Sequence, residues 1–184
     1  MALPSSQDFY VRLVHMSRNK PNTSALINTI VDEVISVLNE RQKERYFDSV
    51  ILLYSLIENL MKWIVYSDIL WKKYRRKKRV TQNVRREQRE IHQFVKRLGF
   101  YETVRIALVS GLIDYKLYKK VEGIRTERNN VVHQLWIYQH RHNRAVIRKK
   151  LEKLILVTGE IMYVSIATER RIKVDAVWDL LSNL

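Results

Sequence analysis

The residues of this chain best suited to chemistry lie together in Glu122-Gly123-Ile124-Arg125-Thr126-Glu127-Arg128-Asn129-Asn130-Val131-Val132-His133. Arg125, Asn129 and His133 follow one another at four-residue steps, so on a regular helix they line one face and could converge on one anion. Arg128 stands five residues before His133, about 140° away around a helix that turns about 100° per residue. One straight helix therefore does not aim both side chains at one point. A bend near Val131, a guanidinium reaching round the helix edge, or a second copy of the chain would bring them together, and the last predicts a dimer. Arg128 also interrupts the apolar stripe of Val121, Ile124, Val131 and Leu135. A charge withdrawn from water is costly unless paired, so Arg128 is expected to face a carboxylate, a phosphate or a partner subunit. Glu58, set among Tyr54, Ile57, Met61 and Val65, breaks an apolar face of its own and is the natural carboxylate. Glu127 is a second.

A different kind of signal lies upstream. The chain carries 34 Lys and Arg against 19 Asp and Glu, a net charge of +15. Residues 72–97 hold 12 basic and 2 acidic residues, about two thirds of that excess. Lys72, Lys73, Arg75, Arg76, Lys77, Lys78 and Arg79 form its centre, followed by Arg85, Arg86 and Arg89. Such a run is either a solvated helix end and loop or the electrostatic footprint of a polyanion, which binds more tightly as each neutralised phosphate releases counterions. Trp71 and Tyr74 beside it could add stacking. His140 and His142, with Arg141 and Arg144, could form a second phosphate-contacting loop but read more simply as a solvated turn. Trp63, Trp71, Trp136 and Trp178 read as core or interface anchors.

The elements that must position these groups are helices. Only 4 Gly and 2 Pro occur in 184 residues, 46% of them hydrophobic, and no segment alternates with a period of two. Apolar spacing predicts short helices over 5–16 and 25–39, the second capped by Asn22-Thr23-Ser24. A long helix over 44–74 places Phe47, Val50, Ile51, Tyr54, Ile57, Met61, Ile64 and Val65 at three- and four-residue steps. Further helices are expected from a cap at Asn83 to Gly99, over 101–110 closed by Gly111, over 115–134 capped by Asp114, over 144–169 and over 174–181. One all-α domain follows, with a core at about 44–169. The absence of Cys excludes disulfides, thiol catalysis and Cys-based zinc sites and fits a cytoplasmic protein. No export signal is visible, Glu58, Asn59 and Lys62 interrupt the longest apolar run, and no membrane span is expected. No spacing suits a metal, no Gly-rich phosphate loop occurs, and Ser110-Gly111 lacks the surroundings of a nucleophile elbow, so no cofactor is expected.

Arg128-Asn129-Asn130-Val131-Val132-His133 resembles the R-X4-6-H motif of HEPN domains, with Asn at the commonest second position. The order of a long apolar helix bearing Glu58, a basic stretch, and Leu112-Ile113-Asp114 leading into the motif helix also resembles that family, over about 90 to 130 residues. The resemblance implies a helical bundle that dimerises so that two motifs meet in a cleft. It implies a metal-independent endoribonuclease of toxin or defence type, in which His133 handles protons at the ribose 2′-OH, Arg128 holds the scissile phosphate and Asn129 supports it. Arg125 and Glu58 would be supporting residues, and RNA and an antitoxin or regulatory protein the partners. A histidine with a reference pKa near 6.5 serves as acid or base around neutrality, and an arginine is a permanently charged clamp for phosphate oxygens. Members paired with a nucleotidyltransferase antitoxin often carry Tyr two residues after the His. Here Leu135 stands there and Tyr138 is the next tyrosine, which counts against regulation by nucleotidylation. The rival expectations are a non-catalytic helical module that binds RNA or protein through the same basic surface, and a structural adaptor whose charge serves solubility.

Overall fold

A computed structural model describes residues 43–75, 82–133 and 144–174, together with Thr29, Asp32 and Ser36, which are helical. The expected helices over 5–16 and 174–181 lie outside the described residues, apart from Val174, and so does most of that over 25–39. From Lys43 onward, five helices run in chain order among the described residues: α1 (Lys43–Tyr74), α2 (Gln82–Arg97), α3 (Phe100–Val109), α4 (Tyr115–His133) and α5 (Arg144–Val174). No strand occurs among the described residues, so the protein is all-α.

Helix α1 is the centre of the bundle. Ile64, Val65, Tyr66, Ser67 and Asp68 are five consecutive buried residues, which on a helix means that neighbours cover every side. Its main partner is α5, whose fully buried Leu151, Leu154 and Ile161 meet Leu53, Ile57, Met61 and Leu70 of α1 in one core. Residues 48–74 are long and apolar enough to cross a bilayer, but most of that segment is buried inside the bundle, as befits a core helix. Asp68, taken from water within it, is paired with Lys72 at 2.8 Å.

Helix α2 lies antiparallel to the second half of α1. Tyr74 meets Glu87, the Tyr66 ring lies 5.6 Å from His92, and the Lys62 ammonium reaches the Lys96 carbonyl at 3.5 Å, so partners rise along α2 as they fall along α1. Only Val84, Gln88 and Val95 of this very polar helix are buried, and they recur at four- and seven-residue intervals on one narrow face. Asn83, expected as the cap, sits inside the first turn, since the helix begins at Gln82. Gly99, expected to end α2, instead occupies the N-cap position of α3 with extended backbone, φ −67° and ψ 163°.

The joint between α3 and α4 fixes the angle at which the motif helix leaves. Gly111 has φ +70°, a left-handed conformation that glycine adopts without a Cβ penalty. The Gly111 N–H donates to the Leu108 carbonyl (3.0 Å) and the Leu112 N–H to the Ala107 carbonyl (2.9 Å), the paired closure of a Schellman motif. Three residues on, the Asp114 carboxylate accepts the Leu117 N–H at 2.7 Å and caps α4 as its position predicts. Two local signals thus set the path from α3 into the motif.

Candidate functional site

Helix α4 is anchored by Leu117, Val121 and Ile124, all buried against the common core. Its contacts with α5 run antiparallel, from Lys120 with Glu160 to Lys150 with Glu127 (2.7 Å). Arg125 lies beside Tyr101, the second residue of α3, with its guanidinium carbon 5.0 Å from the ring centre. Residues beyond Arg125 therefore extend past the end of α3. This explains a correction to the sequence reading: although Arg128 is four residues after the fully buried Ile124, it is exposed. It leaves the apolar stripe because the helix that covers that stripe has ended.

The expected ion pair of Arg128 with Glu58 does not form. Glu58 is paired with Lys62 at 3.0 Å on its own helix, and Glu127 is taken by Lys150. Among the described residues the Arg128 guanidinium instead donates to the side-chain carbonyl of Asn129 at 3.3 Å. That contact leaves the charge un-neutralised and sets the amide and the guanidinium side by side. Because Arg128 is exposed, its charge is hydrated and the expectation that it must face a partner lapses; the guanidinium is instead accessible to an anion from solution. The α4 backbone is α-helical without interruption through Val131 to His133. Asn129 is therefore about 6 Å along the axis from Arg125, and His133 about 6 Å further. The His133 side chain lies outside the described residues.

Arg125 has partners of its own. Its guanidinium takes both oxygens of Glu122, at 3.1 to 3.2 Å, so it is oriented and largely neutralised before any ligand arrives. Arg105, one turn beyond Tyr101 on α3, lies with its guanidinium carbon 5.3 Å from the same ring and donates to the Tyr101 hydroxyl at 3.3 Å. Sequence reasoning missed both Tyr101 and Arg105; the signal was a Tyr-x-x-x-Arg spacing on a short helix.

The basic stretch divides into unlike parts. Lys72 is paired with the buried Asp68, and Lys73 with Glu87 at 3.2 Å. Arg75 stacks on Trp71, 4.6 Å from the ring centre, while Arg76, Lys77, Lys78 and Arg79 lie outside the described residues. Tyr74 is fully buried and donates to Glu87 at 2.6 Å, so the stacking role expected of it is excluded by the fold. Burial, then the bond to Glu87, pushes its hydroxyl far above the ordinary tyrosine range. Arg85, Arg86 and Arg89 are exposed on α2 and form no ion pair among the described residues. With Gln82, Asn83 and Glu90 they line a depression of about 670 Å³.

No family model, curated protein or solved structure matches this chain. Among the described residues no group of three or more His, Asp or Glu could hold a metal ion.

Proposed function

We propose that this chain is a HEPN-type, metal-independent endoribonuclease, acting as a cytoplasmic homodimer in a toxin or defence role and held in check by a partner protein. The observation that carries the reading is the exposed, un-neutralised Arg128 guanidinium beside the Asn129 amide, one turn before His133 on the same helix. An arginine left in this state is poised to grip phosphate oxygens.

In the proposed reaction Arg128 holds the scissile phosphate and Asn129 fixes the guanidinium's direction. His133 of one or the other protomer removes the proton from the ribose 2′-OH. The 2′ oxygen attacks phosphorus, the bond to the 5′ oxygen breaks, and that oxygen takes a proton. The products are a 2′,3′-cyclic phosphate and a 5′-hydroxyl. Because the nucleophile belongs to the RNA, the step needs no activated water. The second copy is invoked because the angular offset of Arg128 and His133 on one helix is met most simply by a groove that two α4 helices share. An apolar stripe suited to such pairing exists on α5, where Leu156, Tyr163 and Ile166 are exposed on the helix that the Lys120 to Glu160 bridge joins to α4.

The test is to incubate the purified chain with RNA in excess chelator beside His133→Ala and Arg128→Ala. The reading expects cutting to cyclic-phosphate ends by the wild type, reduced at least 100-fold in both variants. Cutting that survives both substitutions ends it. The free arginines of α2 favour a second reading, RNA capture without cleavage, which salt-sensitive retention with no cutting would select.

A further inference from the structure

We propose that Tyr101, with Arg105 and Arg125, forms a stacking site for one unpaired nucleobase next to the phosphate held at Arg128 and Asn129, so that the site takes single-stranded RNA. The inference rests on the ribonuclease reading for the placement of that phosphate.

Tyr101 is a partly exposed aromatic ring, 38% accessible, with two guanidiniums against it, and the two are held differently. Arg125 is fixed by the bidentate contact with Glu122 and is half-buried. Arg105 is exposed, has no carboxylate partner among the described residues, and makes its hydrogen bond to the Tyr101 hydroxyl itself, at a long 3.3 Å. One cation is thus built in and the other is easily displaced. A nucleobase offers the ring a larger π-face than a guanidinium does, and stacking on aromatic residues is tolerant of base identity. When a base takes its place, Arg105 is released toward a flanking phosphate. The exchange turns a weak exposed cation–π contact into base stacking plus a charge-assisted hydrogen bond.

The spacing also fits. Arg125 marks the ring's position along α4, and Asn129 is one helical turn further, about 6 Å, a separation that one nucleotide can bridge. A base stacked at Tyr101 would therefore present its neighbouring phosphate to Arg128 and Asn129. Paired bases are already stacked within a duplex and cannot enter, so the site discriminates strandedness through access.

The experiment measures binding of three fluorescein-labelled probes to the full chain carrying His133→Ala: a 12-nucleotide oligouridine, a 12-base-pair RNA duplex, and a 12-unit ribose phosphate chain without bases. Expected on adding Tyr101→Ala is a loss of about 5- to 150-fold for oligouridine, the range of one base–aromatic stack, with the duplex and baseless chain bound as before. Tyr101→Phe and Tyr101→Trp should restore oligouridine binding. Tyr101→Leu, which keeps apolar bulk without a π-face and guards against a folding defect in the alanine variant, should behave like alanine. The proposal is overturned if the alanine and leucine variants bind oligouridine as the parent does, if all three probes lose affinity together, or if the parent fails to bind oligouridine. Cleavage by the chain with native His133 is scored separately. Cutting without a Tyr101 effect removes the stacking site and keeps the ribonuclease, and a selective Tyr101 effect without cutting does the reverse.

Discussion

Lys72 and Lys73 close α1, and Arg85, Arg86 and Arg89 open α2; in the sequence they belong to one run of positive charge, and the fold gives them opposite circumstances. The lysines are matched by Asp68 on the same helix and by Glu87 across the seam, and the second pair helps to hold α2 against α1. The arginines project from the far face of α2 and form no ion pair among the described residues. A polyanion gains little from a cation that already has a partner, since the existing pair must first be broken. Clustering of charge in a sequence thus says where to look, and neutralisation in the fold says which charges are available.

The contrast can be broken most directly by reversing the free set. Arg85→Glu, Arg86→Glu and Arg89→Glu together should lower single-stranded RNA affinity by about 100-fold or more at low salt and reduce the slope of log affinity against log salt by about 2, with the melting temperature little changed. Fluorescence anisotropy across a salt series reads both. An unaltered slope would mean that these arginines do not meet phosphate.

The α1/α2 seam offers the next largest effect. Gln88 is 1% exposed, and among the described residues neither its amide nitrogen nor its carbonyl oxygen has a hydrogen-bond partner. Leaving such a group unsatisfied costs about 1–3 kcal/mol, so Gln88→Leu should raise stability by about 1–2 kcal/mol in urea unfolding. A fall in stability would reveal that the amide is satisfied after all. Lys72→Ala removes the cation from a buried carboxylate, but the ammonium side chain is 48% exposed and water replaces part of it. A loss of about 1 kcal/mol is expected, with RNA affinity changed less than twofold. If that variant loses affinity as severely as an α2 arginine variant, the distinction between the two sets collapses.

The smallest effect concerns alkaline pH. The Tyr74 hydroxyl is held protonated well beyond the ordinary tyrosine range, chiefly by burial and then by its bond to Glu87. Above about pH 10 the unfolded chain releases this proton while the folded one retains it. Stability therefore declines as pH rises through that region. Tyr74→Phe should cost about 0.5–1.5 kcal/mol at neutral pH through the lost hydrogen bond and flatten the alkaline decline relative to wild type. Parallel curves for the two proteins would contradict the assignment.

Much of the bundle was legible because it is written locally. The period of apolar residues set α1 and α5 to within a few residues, and Gly111 and Asp114 announced the α3–α4 joint through turn and cap chemistry that needs no distant partner. What was not legible depends on which helix ends where. The pattern on α4 placed Arg128 on the buried stripe, and it is exposed because α3 starts only at Phe100 and does not extend over that last turn. The same dependence misplaced Tyr74: among lysines and arginines it looked like a surface aromatic, yet it completes the apolar face of α1 and meets Glu87 of a helix that begins eight residues later. The pairing of Lys73 with that same Glu87 depends likewise on the fold.

The geometry at Gly111 has one further use. A Cβ built there would meet nothing within 4 Å among the described residues, so the bend rests on backbone handedness and its two closing hydrogen bonds and not on crowding. Chemical synthesis could therefore install D-alanine at this point, a mirror-image residue that prefers this conformation, and stiffen the elbow while leaving the surrounding bundle untouched. The relative pitch of α3 and α4, and with it the gap between Tyr101 and Asn129, would then be held more tightly from a position remote from both.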